Sequence, residues 1–403
     1  MQMITTTADL EQVCSRFAGH PYVAVDTEFM RERTYYSQLC LVQMAVGGPD
    51  GAMSGEAVLV DPLAEGIDLA PLWALMAAGE TVKVFHAARQ DIEIFHHQGK
   101  VIPAPMFDTQ VAAMVLGYGE QVGYETLVRR VAKAELDKSS RFTDWARRPL
   151  SEKQLTYAIG DVTHLRVVYE ALAARLASSG REEWVAEEMA ILADPATYET
   201  EPGEAWRRVK ARTGNSETLA VVRELARWRE EAAQSRDVPR SRLLKDDALV
   251  EIAAAKPRDA EGLGKMRLLQ REGRKPETSE AILEAVARGL ATPAGERPRL
   301  DPPPRRREGS AAVSDLMRVF LKARADSLGV APKLLASSAD LDALAGEEDP
   351  DVPALHGWRF DAFGRDALRL KDGGVALCAG RKGIEVIELP EGEDATDPST
   401  RPR

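Results

Sequence analysis

Strand-forming segments are concentrated in the first half of this 403-residue chain, and this asymmetry constrains the fold more than any other feature. Short runs of β-branched and apolar residues predict strands, and helical periodicity fills the segments between most of them. This alternation predicts an α/β domain with a mixed sheet, ending near residue 195. The predicted strands are VAVDTEF (23–29), LCLVQMAV (39–46), AVLVDP (57–62) and VKVFH (82–86).

The rest of the chain is predicted to be almost entirely helical. Two segments with the composition of linkers, 193–206 and 292–309, divide it into two helical blocks. We therefore expect three domains, and because few core residues should cross such linkers, the first is expected to fold alone. The expected domains are 1–195, 207–292 and 310–390, the last ending in a short hairpin.

The two helical blocks also resemble each other. Val238-Pro239 precedes a Leu-Leu pair and a helix, and Val330-Ala331-Pro332 precedes a similar arrangement. This similarity indicates a duplicated small domain, although amphipathic helices resemble one another easily.

The charge balance narrows the choice of partners. A net charge of −11 argues against a protein that coats nucleic acid indiscriminately, but it does not exclude a nuclease, since metal-binding acids contribute to it. Bases cluster locally between residues 129 and 148, where seven Lys and Arg residues accompany three acids. A solvated helix face would produce the same cluster.

Cysteine usage and hydropathy predict the compartment. No apolar run approaches the roughly 18–20 residues that span a membrane, and no signal-peptide pattern is evident at the N-terminus. Cys14, Cys40 and Cys378 are scattered, without metal-binding spacing. These features favour a reducing cytoplasm and no membrane partner.

Two carboxylates stand one residue apart at the end of the first predicted strand. Asp26 and Glu28 point to the same side, because strand side chains alternate with period two. Crowded carboxylates repel, and one takes up a proton unless a cation compensates them. A strand that runs into solvent would also explain the pair, whereas a divalent metal site needs further carboxylates from elsewhere in the chain.

Further acidic residues occur where such a site would need them. Asp91 falls in the first turns of a helix that follows the strand VKVFH, and ligands of α/β proteins lie at the carboxyl ends of strands. Tyr157 and Asp161 are four residues apart on a predicted helix and share one face. Taken alone, this last pair could be an ordinary helix hydrogen bond.

In this order, the Asp-x-Glu pair, the later Asp and the Tyr-x-x-x-Asp pair resemble the DEDD superfamily of 3′→5′ exonucleases, in the branch distinguished by the tyrosine. The segments DTEFMRERTYYSQLCLVQ, FHAARQDIEIF, FDTQVAA and YAIGDVTHL resemble the ribonuclease D family within that branch. The helical blocks are similar to HRDC domains. The resemblance implies a ribonuclease H-like mixed sheet with flanking helices, followed by two small all-α HRDC-like domains.

The resemblance also implies a reaction, the hydrolysis of RNA from its 3′ end with release of nucleoside 5′-monophosphates. Two divalent ions, Mg²⁺ or Mn²⁺, would activate water and hold the leaving oxygen. Tyr157 would orient the attacking water, since a pKa near 10 makes tyrosine a poor base at neutral pH. The implied metal ligands are Asp26, Glu28, Asp91 and Asp161.

Four residues are candidates for substrate contact, each with a structural alternative. Phe29 and Met30 would stack on the terminal base, as apolar side chains do in single-strand binders, or pack in the core. Gln43 would contact substrate or satisfy a strand edge, and His86 would contact substrate or pack at a strand end. The implied partners are RNA 3′ ends, including transfer-RNA precursors, and the enzyme is expected to be a monomer.

Two rival functions fit much of the same pattern. One is a DNA 3′→5′ exonuclease of the same superfamily, and the other is a nucleic-acid-binding module with a catalytically inactive nuclease fold. Loss of one acidic ligand would favour the second rival, but all four acids and Tyr157 are present. No GxxxxGK segment occurs, so nucleoside-triphosphate hydrolysis has no support.

Overall fold

A six-stranded mixed sheet forms the centre of the N-terminal domain in the computed structural model of the protein, which describes residues 2–136, 143–300, 307–381 and 383–389. Its strands are β1 (Gln2–Ile4), β2 (Tyr22–Met30), β3 (Gln38–Ala45), β4 (Ala57–Val60), β5 (Val82–Phe85) and β6 (Met106–Asp108). They are ordered β1-β4-β3-β2-β5-β6; β3 is antiparallel to both neighbours, and the other pairs are parallel. The predicted mixed sheet is confirmed, whereas the short edge strands β1 and β6 escaped prediction.

Helices cover both faces of this sheet. On one face, Val23 and Val25 pack with the first three helices, and on the other, Ala24 packs against the long sixth helix. This alternation along β2 is the period-two pattern that the sequence predicted. The helices are α1 (Thr7–Phe17), α2 (Ala70–Ala77), α3 (Arg89–Gly99), α4 (Thr109–Val115), α5 (Tyr124–Val131), α6 (Glu152–Ser179) and α7 (Glu182–Ala193).

The ends of α6 are fixed by local sequence signals. Ser151 and Gln154 form a capping box, in which each side chain satisfies a backbone N–H of the other residue. The helix runs for 28 residues and ends at Gly180, whose φ of 65° is easily reached by glycine. Both signals fix where α6 begins and ends along the chain.

A first helical domain follows, built around a core that includes Trp206, Leu225 and Ile282. It docks on the N-terminal domain through Asp237, whose Oδ1 accepts hydrogen bonds of 3.0 Å from the backbone N–H groups of both Tyr35 and Tyr36. Its helices are α8 (Ser216–Ser235), α9 (Arg240–Leu243), α10 (Asp246–Ala255), α11 (Ala260–Gly264) and α12 (Pro276–Ala291).

A second helical block repeats the opening order of the first, a long helix, a four-residue helix and a helix of about ten residues. The predicted terminal hairpin is confirmed as an antiparallel pair. The elements are α13 (Ser310–Leu328), α14 (Pro332–Leu335), α15 (Ser338–Gly346), α16 (Gly357–Arg359), a π-helical turn (Phe360–Gly364), α17 (Arg365–Lys371), β7 (Val375–Gly380) and β8 (Gly383–Glu388).

This second block shares one hydrophobic core with the N-terminal domain. Met317 and Phe320 of α13 belong to the same buried cluster as Ala112 of α4, Leu172 of α6 and Met189 of α7. The expectation that few core residues cross the linkers is therefore wrong. The composition of a linker shows that the intervening chain is polar, but it does not reveal which apolar faces meet beyond it.

Polar contacts reinforce this shared core. The rings of Trp184 and Trp358 are stacked with centroids 4.3 Å apart, and the guanidinium of Arg359 lies 2.6 Å from the carboxylate of Glu188 in a mostly buried ion pair. Arg181 donates hydrogen bonds to the carbonyl oxygens of Val115 and Leu328, one on each side of the interface. The second block is thus held against the N-terminal domain by polar and aromatic contacts as well as by apolar packing.

Within the described ranges, no helix is both long and apolar enough to cross a membrane. Of the basic residues between 129 and 148, Lys138 and Arg141 lie outside the described residues.

Truncating the stacked tryptophan tests the shared core. Trp358→Ala should lower the free energy of unfolding of the full chain by about 3–5 kcal/mol, because it leaves a cavity against Trp184. Chemical denaturation followed by circular dichroism measures the loss. Ile384→Ala on the exposed face of the hairpin is the control and should stay within about 0.5 kcal/mol of wild type. A loss for Trp358→Ala as small as that of the control would show that the two parts are stable independently.

Candidate active site

A cleft of about 1060 Å³ opens where the end of β2 meets α3, α5 and α6. Asp26 and Glu28 reach it from β2, Asp91 from α3, and Tyr157 and Asp161 from α6. The five residues singled out as catalytic candidates therefore line one cleft, although they are spread over more than a hundred positions of the chain.

Three of the four predicted acidic ligands form a tight cluster. Asp26, Glu28 and Asp161 each offer a carboxylate oxygen, and these oxygens all lie within 4.8 Å of one another. The period of β2 turns Asp26 and Glu28 toward α6, and the packing of α6 brings Asp161 to them. Such a set of hard oxygen donors fits a divalent cation of the Mg²⁺ or Mn²⁺ type.

The electrostatics of the cluster explain what a cation would do there. Burial raises the pKa of the Asp26 carboxyl well above its ordinary value, and repulsion from Asp161 raises it further. Without a compensating charge, the fold therefore favours the protonated form of Asp26 more than water does. A bound divalent ion would reverse this preference.

Asp91 occupies a different position from the other three. It lies in the first turn of α3, is 7% exposed and stands outside the cluster of mutually close oxygens. The hydroxyl of Thr27 donates a hydrogen bond of 2.5 Å to Asp91 Oδ1, from the side of β2 opposite to Asp26. Burial, followed by the charge of Asp26, raises the pKa of Asp91. Thr27, which stands between Asp26 and Glu28 on β2, thus holds Asp91 in place. The sequence pattern did not reveal this contact.

Tyr157 lies one helical turn before Asp161, as the spacing predicted. Its ring is 6.0 Å from the ring of Trp145, which is almost fully buried and lines the same cleft. Arg148 fixes the segment that carries Trp145. Its guanidinium forms a bidentate ion pair with Asp61, with distances of 2.6 and 2.7 Å, and donates a hydrogen bond to the Cys40 carbonyl oxygen. Sequence reasoning missed Trp145, and its only signal was an aromatic residue within a basic stretch.

A second tyrosine, Tyr124 of α5, supports Asp161 from its backbone side. Its hydroxyl donates a hydrogen bond of 2.5 Å to the Asp161 carbonyl oxygen. Burial raises the pKa of Tyr124, and the charge of Asp161 raises it further, so the phenol stays protonated and donates. No sequence motif identified this residue.

The candidate substrate residues divide into two groups. Phe29, Met30 and His86 line the cleft. His86 Nδ1 lies 3.0 Å from the hydroxyl of Thr109, and burial lowers the pKa of the ring, which favours neutral histidine. Gln43 is fully buried in the middle of β3 and is absent from the cleft wall. The expected contact of Gln43 with substrate is therefore wrong, because α6 covers that face of the strand.

The active-site cleft continues into a second cleft of about 620 Å³, which the first helical domain completes. Arg31 and Thr34 line both clefts. Arg208, Arg240 and Lys245 contribute further positive charge to the second cleft. The second cleft is thus lined by bases from two domains, together with two aspartates at the start of α10.

Comparison with known proteins agrees with this geometry. A family model described as 3′-5′ exonuclease matches residues 1–177, and an HRDC domain model matches residues 218–286. The chain is 53% identical over 386 residues to ribonuclease D of Jannaschia sp. (strain CCS1), covering 96% of this chain and 99% of the relative. It is 50% identical to ribonuclease D of Acidiphilium cryptum, covering 96% and 97%. The chain belongs to the ribonuclease D family.

A solved structure supports the same assignment over nearly the whole chain. The crystal structure of Escherichia coli RNase D, "an exoribonuclease involved in structured RNA processing", matches with a TM-score of 0.81 and 27% identity, covering 92% of this chain and 98% of that one. The ribonuclease D family assignment confirms the expected enzyme class, a 3′→5′ exoribonuclease, and the order of exonuclease domain and HRDC domain. The assignment of residues 310–390 as a second HRDC-like domain stays a prediction.

Repulsion in the carboxylate cluster predicts how stability depends on pH. A folded-state pKa raised above the unfolded value of about 3.8 gives stability that is present at low pH and lost as pH rises through the raised value. In EDTA, the melting temperature should therefore fall as the pH rises above the ordinary pKa of an aspartate. Mg²⁺ at about 100 times its Kd should restore about 2.7 kcal/mol.

Asp26→Asn separates this effect from general instability. The variant should melt higher than wild type in EDTA at alkaline pH and should gain little from Mg²⁺, because one of the repelling charges is gone. Asp372→Asn, at an exposed position outside the cleft, should behave as wild type. Equal stabilisation of Asp26→Asn and wild type by Mg²⁺ would contradict a metal site at this cluster.

Proposed function

We propose that the protein trims RNA from its 3′ end by a reaction that uses two divalent ions, Mg²⁺ or Mn²⁺, and releases nucleoside 5′-monophosphates. The observation that carries the proposal is the cluster of Asp26, Glu28 and Asp161, whose carboxylate oxygens lie within 4.8 Å in a cleft shared with Tyr157. When bound, such ions lower the pKa of water and stabilise charge on the leaving oxygen. Asp91, held by Thr27, would complete the ligand set.

Tyr157 would position the attacking water. Its hydroxyl stands one turn before Asp161 and faces the same cleft, so it can accept or donate a hydrogen bond at the site of attack. A phenol with a pKa near 10 is a weak base at neutral pH, and orientation is therefore its expected contribution. Trp145 packs beside the ring and restricts its movement.

Removing the hydroxyl of this tyrosine tests the assignment. Tyr157→Phe keeps the ring packing and should lower the single-turnover cleavage rate by about 10²–10⁴-fold with little change in RNA affinity. The matched control is Tyr169→Phe on the same helix, whose ring packs against Tyr22 and Phe107 away from the cleft. Tyr169→Phe should cleave within a few-fold of wild type. If Tyr157→Phe does the same, the tyrosine has only a packing role.

RNA is the proposed substrate, with transfer-RNA precursors as the implied class and a monomer in the cytoplasm as the working form. The three free cysteines, of which Cys14 and Cys40 are buried, suit a reducing compartment. A DNA exonuclease of the same superfamily is the rival. A contact with the 2′-hydroxyl of the substrate distinguishes the two, since only RNA carries that group.

End products decide the proposal. A transfer-RNA precursor labelled at its 5′ end should shorten stepwise from the 3′ end in Mg²⁺ and remain intact in EDTA. Label placed in the 3′-terminal nucleotides should appear as nucleoside 5′-monophosphates. Matched RNA and DNA oligonucleotides of one sequence then separate the rivals, since faster digestion of the DNA would overturn the RNA assignment.

The first helical domain is proposed to hold the strand that leads into the active site. The second cleft joins the first at Arg31 and Thr34, so a single strand with its 3′ end at the carboxylates can extend into it. Exposed Lys245 and Arg208 face this path, where they can contact phosphates. Such contacts release counterions and make binding dependent on salt.

Charge reversal at one of these bases tests the path. Lys245→Glu should weaken binding of single-stranded RNA and reduce the slope of log affinity against log salt by about 0.7, the value for one lost phosphate contact. Filter binding at several salt concentrations gives the slope. The control is Lys265→Glu, in the same domain but outside the cleft, which should leave the slope unchanged. Identical slopes for both variants would remove Lys245 from the RNA path.

A further inference from the structure

Gln43 is a polar side chain in a place where the fold offers it almost nothing polar. It lies in the middle of β3 with no exposed surface. Neither its Oε1 nor its Nε2 has a hydrogen-bond partner among the described residues. Leaving a buried amide without a hydrogen bond is destabilising, so each such group needs an explanation.

The surroundings of Gln43 are apolar on most sides. Leu41 and Ala45, two residues away in each direction, share its side of the strand and are fully buried. Leu59 stands opposite on β4 and is also fully buried. A methionine or leucine would suit this position better if packing were its only task.

The exception among these apolar neighbours is Asp26, on the adjacent strand β2. Asp26 is the register partner of Gln43 across the β2–β3 pair. Side chains of directly opposed residues in antiparallel strands point the same way, with Cβ atoms about 4.5–5.5 Å apart. An amide at the end of a glutamine side chain therefore lies within reach of the Asp26 carboxylate, on the side away from the cleft.

We propose that Gln43 is a positioning residue for Asp26. Its Nε2–H group donates a hydrogen bond to the Asp26 carboxylate when that carboxylate ligates a cation, and so fixes the orientation of the ligating oxygen. This inference rests on the proposed metal site and gives Gln43 a role other than the substrate contact that the sequence suggested. It also explains why an amide is kept in an otherwise apolar layer, because Asp26 is the register partner of Gln43 and offers it a polar group.

Direct metal binding tests this role. Gln43→Met keeps the length of the side chain and removes the donor, so the affinity for Mn²⁺, measured by calorimetry on the full chain, should fall by about tenfold or more. The Mg²⁺ concentration for half-maximal cleavage should rise in parallel. Stability in EDTA should be unchanged or higher, since the variant removes an unsatisfied amide from an apolar layer.

Met44→Leu is the matched control. It changes the adjacent residue of β3, which faces the opposite layer, and its Mn²⁺ affinity should equal that of wild type. Wild-type affinity for Mn²⁺ in Gln43→Met would overturn the positioning role. Absence of Mn²⁺ binding by the wild-type protein would instead overturn the metal site itself, so the two failures are distinguishable.

A structure of the wild-type protein with Mn²⁺ gives a test that does not depend on how the variant folds. The Nε2 atom of Gln43 should lie within about 3.2 Å of an Asp26 carboxylate oxygen. A separation with no hydrogen bond, or an amide satisfied by a buried water instead, would refute the proposal.

Discussion

The close approach of α6 to the sheet determines where every catalytic candidate lies. Ala24 and Ala45 present small side chains to α6, and Val162 and Leu165 pack onto them. This contact brings Asp161 to the end of β2, where period two has already turned Asp26 and Glu28 toward the helix. Arg166, almost fully buried, donates to the Val46 carbonyl oxygen and pins the helix further along the sheet.

The same approach creates an electrostatic conflict. The carboxylates of Asp26, Glu28 and Asp161 repel one another. The apolar packing of α6 on the sheet keeps them close, because they cannot separate without disrupting it. The fold tolerates this conflict at its cleft because the rest of the molecule is well packed, and in the proposed function a cation resolves it. Active sites in general contain strained or mutually repelling groups, and the stability of the rest of the protein compensates for them.

Much of the exonuclease domain and its cleft could be predicted from sequence, because both follow local periodicities. Four strands, the shared side of Asp26 and Glu28, and the shared face of Tyr157 and Asp161 all depend on the repeat of a strand or a helix. Thr27 escaped notice because its role requires knowing that α3 lies on the other side of β2. Gln43 was misjudged for a related reason, since a strand pattern does not show which helix covers it.

The shared core of the second helical block could not be predicted from local patterns either. The second block packs on α4, α6 and α7, but it begins more than a hundred residues after them in the sequence, and the first helical domain, with its own core, lies between.

The position of the second helical block late in the sequence also affects how the protein folds during synthesis. A chain emerging from the ribosome contains the four predicted metal ligands by residue 161, yet α13 to α17 begin only at residue 310. Domains usually fold as they are synthesised, with N-terminal regions first. Here the apolar faces of α4 and α7 are covered only when α13 to α17 have been synthesised, so the nascent nuclease exposes a hydrophobic surface during that interval.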